Sequence, residues 1–385
     1  MLKQNLLKIK SNKKAAFWLR FFIMFTVLII LSYGIITFFD IITEQDSTAD
    51  LITESYIKET QKQITPVFDN GSIDVYFCQT QNCAEKAVEL INAAKQTISC
   101  ALYDLDNQEI LLALQKKAQQ NVFVRVVVDN DNKGELQGNV FRFDNNNQLM
   151  HNKFCVFDNS SLFTGSMNPT DNDIYKNDNN FVVINSSKIA ENYNDEFKEL
   201  WNEEFGNGKE VRYPKIVLNI NVSDDSINIL SNQQNHSLQN QQIEIENYFC
   251  PEDKCEQQVI EILKTAKKSI YFMVFSFTSD NIGNILMEKA KQGIVIDGVF
   301  DTSQNNQFTE YLRLKDANIS VIFDNNKYKL HHKVFIVDET VVITGSYNPT
   351  KNGNENNDEN VIIIHDAEIA AKYLQEFERI KVVTK

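Results

Sequence analysis

Proline and glycine are scarce, at 5 and 12 of 385 residues, which excludes collagenous and low-complexity disordered classes. Basic residues are also in deficit: 38 Lys and Arg stand against 52 Asp and Glu. Six of the basic residues (Lys3, Lys8, Lys10, Lys13, Lys14 and Arg20) fall before residue 39, where there is no acid, so the remainder carries 32 basic against 52 acidic side chains. A field of that sign repels polyanions from a distance. With 43% hydrophobic residues, the chain can bury one or two substantial cores.

Charge is missing altogether from residues 21–39, FFIMFTVLIILSYGIITFF. Such a run crosses roughly 30 Å of hydrocarbon as a helix. We expect a transmembrane anchor, because a signal peptide would have a shorter apolar core and a small-residue cleavage site. The basic tail, residues 1–20, precedes it, and Asp40, Glu44, Asp46 and Asp50 follow. The positive-inside rule leaves the tail in the cytoplasm and everything after the helix outside.

What the chain does have is a sentence written twice. His151-Asn-Lys153-Phe-Cys-Val-Phe-Asp158 leads to Gly165-Ser166-Met-Asn168, and His331-His-Lys333-Val-Phe-Ile-Val-Asp338 leads to Gly345-Ser346-Tyr-Asn348. Cys78 and Cys83 recur as Cys250 and Cys255, and Asp129 recurs as Asp301, at an offset of 172 that becomes 180 at the motifs. The chain is a tandem duplication whose second copy carries eight extra residues, expected in a surface loop. The copies span residues 73–205 and 246–380. Residues 40–72 read as a polar stalk and 206–245 as a connection whose Gln/Asn-rich end, SNQQNHSLQNQQ, is a surface loop.

In each copy, helical periodicity (Ala87, Leu90, Ile91, Ala94; Val259, Ile262, Leu263, Ala266) alternates with β-rich runs such as TISCALYDL and SIYFMVFSF. This alternation predicts an α/β fold with mainly parallel sheets covered by helices. Cys78 with Cys83, and Cys250 with Cys255, each bracket a strand-to-helix passage and can close a small disulfide outside the cell. A four-cysteine zinc site drawing on both copies is the alternative. Cys100 and Cys155, inside apolar strands, read as free buried thiols. His332 reads as structural, and His236 and His365 as ordinary surface residues.

On a strand, His151 and Lys153 leave one face, as do His331 and Lys333, while Asp158 and Asp338 point to the other and are expected to hold neighbouring groups in place. Imidazole is a nucleophile and acid/base group near neutral pH, and lysine supplies positive charge for a phosphate oxygen. Asn168 and Asn348 add amide donors, and Ser166 and Ser346 add hydroxyls.

The duplicated motif, with these six His, Lys and Asp residues as its candidate catalytic set, resembles the phospholipase D superfamily over nearly all of residues 73–380. The resemblance implies two α/β halves about a pseudo-twofold axis, one active site shared between the motifs within a single chain, and no metal or cofactor. It implies a phosphohistidine mechanism in which His151 attacks phosphorus and His331 protonates the leaving alcohol. The family commonly orients a histidine with a Glu in Asn-x-Glu-Asn. The second copy has it at Glu359, whereas the first has Asn179, so the histidine oriented by Glu359 is expected to be the more basic. Asp178, facing the other way, cannot stand in.

The anchor and the acidic body favour membrane phospholipid as substrate, since nucleic-acid enzymes usually have a basic groove. The alternatives are a metal-independent endonuclease, a cardiolipin synthase-like transferase, or an inactive surface binding protein that keeps only the fold.

Overall fold

The computed structural model describes residues 65–134, 136–206, 208–220 and 241–383. The expected tail, the anchor, most of the stalk, His236 and most of the Gln/Asn-rich loop lie outside the described residues. Among the described residues no helix is long and apolar enough to cross a membrane.

The first copy runs β1 (Val67–Phe77), α1 (Cys83–Ala93), β2 (Thr97–Leu102), α2 (Gln108–Gln119), β3 (Phe123–Val128), β4 (Phe141–Phe143), β5 (Lys153–Phe157), β6 (Ser161–Gly165), α3 (Asp171–Tyr175), β7 (Asn180–Asn185) and α4 (Ser187–Trp201). After β8 (Lys215–Ile220), the second repeats this order: β9 (Gln241–Cys250), α5 (Cys255–Lys264), β10 (Ser269–Val274), α6 (Asp280–Lys291), β11 (Val295–Phe300), α7 (Tyr311–Asp316), β12 (Ser320–Phe323), β13 (Lys333–Val337), β14 (Val341–Gly345), α8 (Lys351–Glu355), β15 (Glu359–His365) and α9 (Ala367–Val383). The first described strand thus begins at Val67, within the stretch read as a stalk, and β8 lies within the connection between copies.

The fifteen strands among the described residues join one sheet, in the order β12-β11-β10-β13-β14-β15-β9-β8-β1-β7-β6-β5-β2-β3-β4. The expectation of mainly parallel sheets is corrected here. Parallel pairing is confined to β2–β3–β4, β10–β11–β12 and β1–β8, and the central strands of each copy are antiparallel. The reason is chain length: only Asp158, Asn159 and Ser160 separate β5 from β6, far too few for a parallel crossover. Asp158 and Asn159 both take positive φ, 50° and 53°, as a tight hairpin turn requires.

Helices α4 and α9 cover a core common to both copies, where Phe154, Tyr193 and Phe197 meet Val334, Tyr373 and Phe377. Separate cores under α1 and α2, and under α5 to α7, flank it. The eight extra residues of the second copy fall between β11 and β12, where an exposed stretch leads into the short α7, whose Tyr311 and Leu314 are buried in the flanking core.

Cys78–Cys83 and Cys250–Cys255 are disulfides, so no zinc site draws on them. Cys100 and Cys155 are not free thiols, as their burial suggested, but a third disulfide. Antiparallel pairing of β2 with β5 places them directly opposite one another, with Cα atoms 4.0 Å apart. Non-reducing peptide mapping should recover the Cys100–Cys155 peptide pair, and alkylation of either thiol in folded protein would contradict it. Replacing both by Ala should lower unfolding free energy by about 2–4 kcal/mol, read from urea denaturation.

Candidate active site

The two motif histidines stand just ahead of β5 and β13, and their backbone is pinned from both copies. Met150 N donates to Asp129 Oδ2 at 2.9 Å and Leu330 N to Asp301 Oδ2 at 2.7 Å. His151 N donates to the Asp358 carbonyl and His331 N to the Asp178 carbonyl, each at 2.9 Å. Asn360 Oδ1 accepts from Thr164 and Asn180 Oδ1 from Thr344, so every contact has its twofold counterpart. Both rings open on one cavity of about 820 Å³ lined also by Asn168, Asn348, Tyr103 and Phe275. Tyr103 lies edge-on to His151 and Phe275 to His331, with centroids 4.9 and 5.0 Å apart.

The orienting residues are exchanged between copies. His151 Nδ1 lies 2.7 Å from Glu359 Oε2, and His331 Nδ1 lies 3.0 Å from Asn179 Oδ1. Glu359 therefore serves the histidine of the other motif. With Nδ1 donating to these oxygens, each neutral ring turns a bare Nε2 to the cavity. Burial pushes His151 down to about 4, against the pull of Glu359, and Lys153 lowers it further. Burial and Lys333 push His331 down to about 3, with Asp173 opposing.

Lys153 and Lys333 are buried, with each Nζ donating at 2.7 Å to the carbonyl of its own histidine. Burial brings Lys153 down to about 8, and burial together with Lys153 holds Lys333 well below the usual range. Two buried like charges await an anion, since each isolated charge costs several kcal/mol to desolvate.

Two sets of expected site residues do not enter the cavity. Asp158 and Asp338 sit at the far ends of β5 and β13, where Asp158 accepts from the backbone of Lys95, Gln96 and Thr97 and Asp338 from Lys267, Lys268 and Ser269. Ser166 and Ser346 are fully buried: Ser166 donates to Asn179 and accepts from Asn180, and Ser346 accepts from Asn360. Asn168 and Asn348 do line the cavity, each with a buried Oδ1 that has no hydrogen-bond partner among the described residues. His332 is structural, held by Glu376 and Asn180. His365 is no ordinary surface residue, for it bonds Glu246 at 2.9 Å.

Sequence reading missed Asp173. Its Oδ2 lies 3.4 Å from His331 Nδ1 and accepts from both the backbone and the side chain of Asn168 at 2.8 Å. Burial alone would raise its pKa, but the adjoining imidazole and the bonds from Asn168 and Asn177 hold it below the ordinary carboxylate range. The second copy has Gly353 at this position, where an added Cβ would come within 2.4 Å of the Asn348 carbonyl. The first copy thus carries its carboxylate at 173 and an amide at 179, while the second carries no side chain at 353 and a carboxylate at 359. Each histidine has one acid. The only signal for it in the sequence was the pairing of two departures from the repeat. Asp129 with Asp301 and Tyr103 with Phe275 also recur at the offset of 172.

A family model described as cardiolipin synthase, PLD-like domain, matches residues 87–201 and 259–381, more than half of the chain. The chain belongs to the phospholipase D-like family. A phospholipase D of Rickettsia bellii is 35% identical over 128 residues, which are 33% of this chain and 64% of the relative. The mouse mitochondrial cardiolipin hydrolase is 33% identical over 124 residues, 32% of this chain and 56% of the relative. The chain spans less than two thirds of either relative's length. A phosphatidylserine synthase of Haemophilus influenzae Rd KW20 has the same fold, with a TM-score of 0.58 and 12% identity, and the match covers 84% of this chain and 90% of that one.

The rim of this phospholipase D-like cleft is polarised. Asp104 and Asp106 come from the first copy, and Lys327 and Lys329 from the second. For the phosphodiesterase activity proposed below, Asp173→Asn should lower kcat by about ten- to a hundredfold. Adding Asn179→Glu should restore part of it, whereas a purely structural Asp173 would show no rescue. Oxyanion affinity tests the lysines. Tungstate binding, measured by calorimetry, should weaken as pH rises through about 8, because the bound ion keeps Lys153 protonated. Lys153→Met should weaken it at every pH.

Proposed function

We propose that the chain is a phosphodiesterase of phospholipase D type that hydrolyses membrane phospholipid to phosphatidic acid and a free headgroup alcohol. The carrying observation is the convergence of His151 and His331, one from each copy, on a single cavity beside two buried lysines. The bound phosphodiester's negative charge favours an Nε2-protonated His331, so His151 Nε2 attacks phosphorus while His331 gives that Nε2 proton to the departing alkoxide. His331 then takes a proton from water, which attacks phosphorus and frees the His151 ring. Glu359, bonded to Nδ1, stabilises the positive ring of the phosphohistidine, and Asp173 favours the protonated form of His331. Lys153 and Lys333 balance the charge on the non-bridging oxygens.

Three features support lipid as the substrate. The acidic body and the Asp104–Asp106 lip disfavour a polyanionic strand. Phe308, Leu312 and Tyr328 leave 70%, 57% and 45% of their surface exposed, and Tyr328 lines the cleft. The apolar run 21–39, read as an anchor with the catalytic body outside the cell, would keep that body beside headgroups.

The full chain should be offered phosphatidylcholine and phosphatidylethanolamine vesicles in parallel with labelled single-stranded DNA and RNA. Headgroup release that falls about a thousandfold or more in His151→Ala is expected. Cleavage of nucleic acid alone would replace lipid with an endonuclease reading, and turnover indifferent to His151 would remove the site.

A further inference from the structure

Beside the segment that bears His151, three carboxylates cluster and a fourth lies near them. Glu196 and Glu199, three apart on α4, share a face, and their oxygens and those of Glu252 lie within 4.8 Å of one another. Asp358, only 3% exposed, adds its charge to Glu196 and feels that of Glu252. Its Oδ1 accepts from Gly206 N at 2.7 Å, but Oδ2 is buried with no partner among the described residues, as is Glu252 Oε2. The backbone closes over the group at Gly208, where a Cβ would lie 2.3 Å from Glu199 and 2.6 Å from Glu252 oxygens. The basic side chain paired with this group is Lys209, 86% exposed and 3.8 Å from Glu199.

The pseudo-twofold mate shows what is missing. At the offset of 180, Glu196 corresponds to Glu376, Asp358 to Asp178, Asn152 to His332 and Glu199 to Arg379. There the Arg379 guanidinium sits between the acids, bonding both Glu376 oxygens at 2.7 Å and Asp178. Against its burial, Glu376 is drawn down to about 2 by Arg379 and His332. In the first copy, a carboxylate stands where the guanidinium does, and Glu252 adds another. A second acidic group, Glu244–Glu246–His365, has no such deficit, because Lys215 Nζ reaches Glu246 at 3.1 Å and Glu244 at 3.5 Å.

We infer that Glu196, Glu199, Glu252 and Asp358 bind one divalent cation of the calcium class, which takes the place that Arg379 fills in the second copy. An all-oxygen, carboxylate-rich set suits a hard cation, and Ca²⁺ accepts six to eight such oxygens in irregular geometry where Mg²⁺ demands an octahedron. Without a countercharge, burial and mutual repulsion push Glu196 well above its ordinary range, Glu252 up to about 7 and Asp358 up to about 8. The ion touches no reacting atom. It steadies the segment bearing His151, because Asn152 Nδ2 donates to Glu196 at 3.1 Å and the Asp358 carbonyl holds His151 N.

The full chain, stripped with EDTA and dialysed, should bind Ca²⁺ at one saturable site by calorimetry, more tightly than Mg²⁺, with a rise in Tm. Glu199→Arg, copying Arg379, should abolish that binding and raise the Tm measured in EDTA above that of the wild type. If this variant fails to fold, Glu252→Gln should show the loss of binding instead. Absence of saturable Ca²⁺ binding, no rise in Tm on adding Ca²⁺, or binding unchanged in both variants would overturn the site.

Discussion

The bond from His151 Nδ1 to Glu359 and its counterpart from His331 to Asn179 cross from one copy to the other, and the backbone bonds through Asp178 and Asp358 cross beside them. Neither copy supplies the side chain that bonds Nδ1 of its own histidine. The shared core under α4 and α9 has the same logic, since the residues it buries come from both halves. Site and core therefore form together, and the cleft exists only where the two copies meet.

That junction concentrates charge at a depth where charge is costly. Two lysines, two histidines and two orienting acids lie buried around one cavity, and burial pushes each imidazole toward its neutral form. A phosphodiester would reverse the balance, because its negative oxygens favour the protonated forms of the very groups that burial disfavours. The site is poised for an anion by desolvation as much as by attraction.

Duplication preserved the backbone frame and let the charges move. The acid of the first copy's turn, Asp173, stands opposite Gly353, while the acid of the second copy's strand, Glu359, stands opposite Asn179. Beside the histidine-bearing segments, Glu199 stands opposite Arg379. Each exchange keeps the hydrogen-bonded scaffold and redistributes electrostatic work between halves, which is how a symmetric frame can carry an unsymmetric reaction.

Much was legible in the sequence. The motif pair named the histidines and lysines that meet between the copies, the offsets named the duplication, and periodicity placed the long helices and the core strands, because these signals are local and repeated. It did not place β4, β6, β8, β12, β14 or the short α3, α7 and α8. Strand direction was legible too, in the three residues between β5 and β6, but apolar alternation alone pointed the wrong way. What depended on partners distant in the chain could not be read. Cys100 and Cys155 are 55 residues apart and meet only through strand register. Asp158 and Asp338 do hold neighbouring backbone as their strand position suggested, but which segments they hold, 95–97 and 267–269, depended on the fold. The role of Asp173, the reach of Glu359 and Asn179 to the other copy's histidine and the carboxylates beside the His151 segment became visible only when the two copies were folded against each other. Sequence determined which groups are available, and tertiary structure decided which of them meet, because a hydrogen bond or an ion pair depends on separation in space.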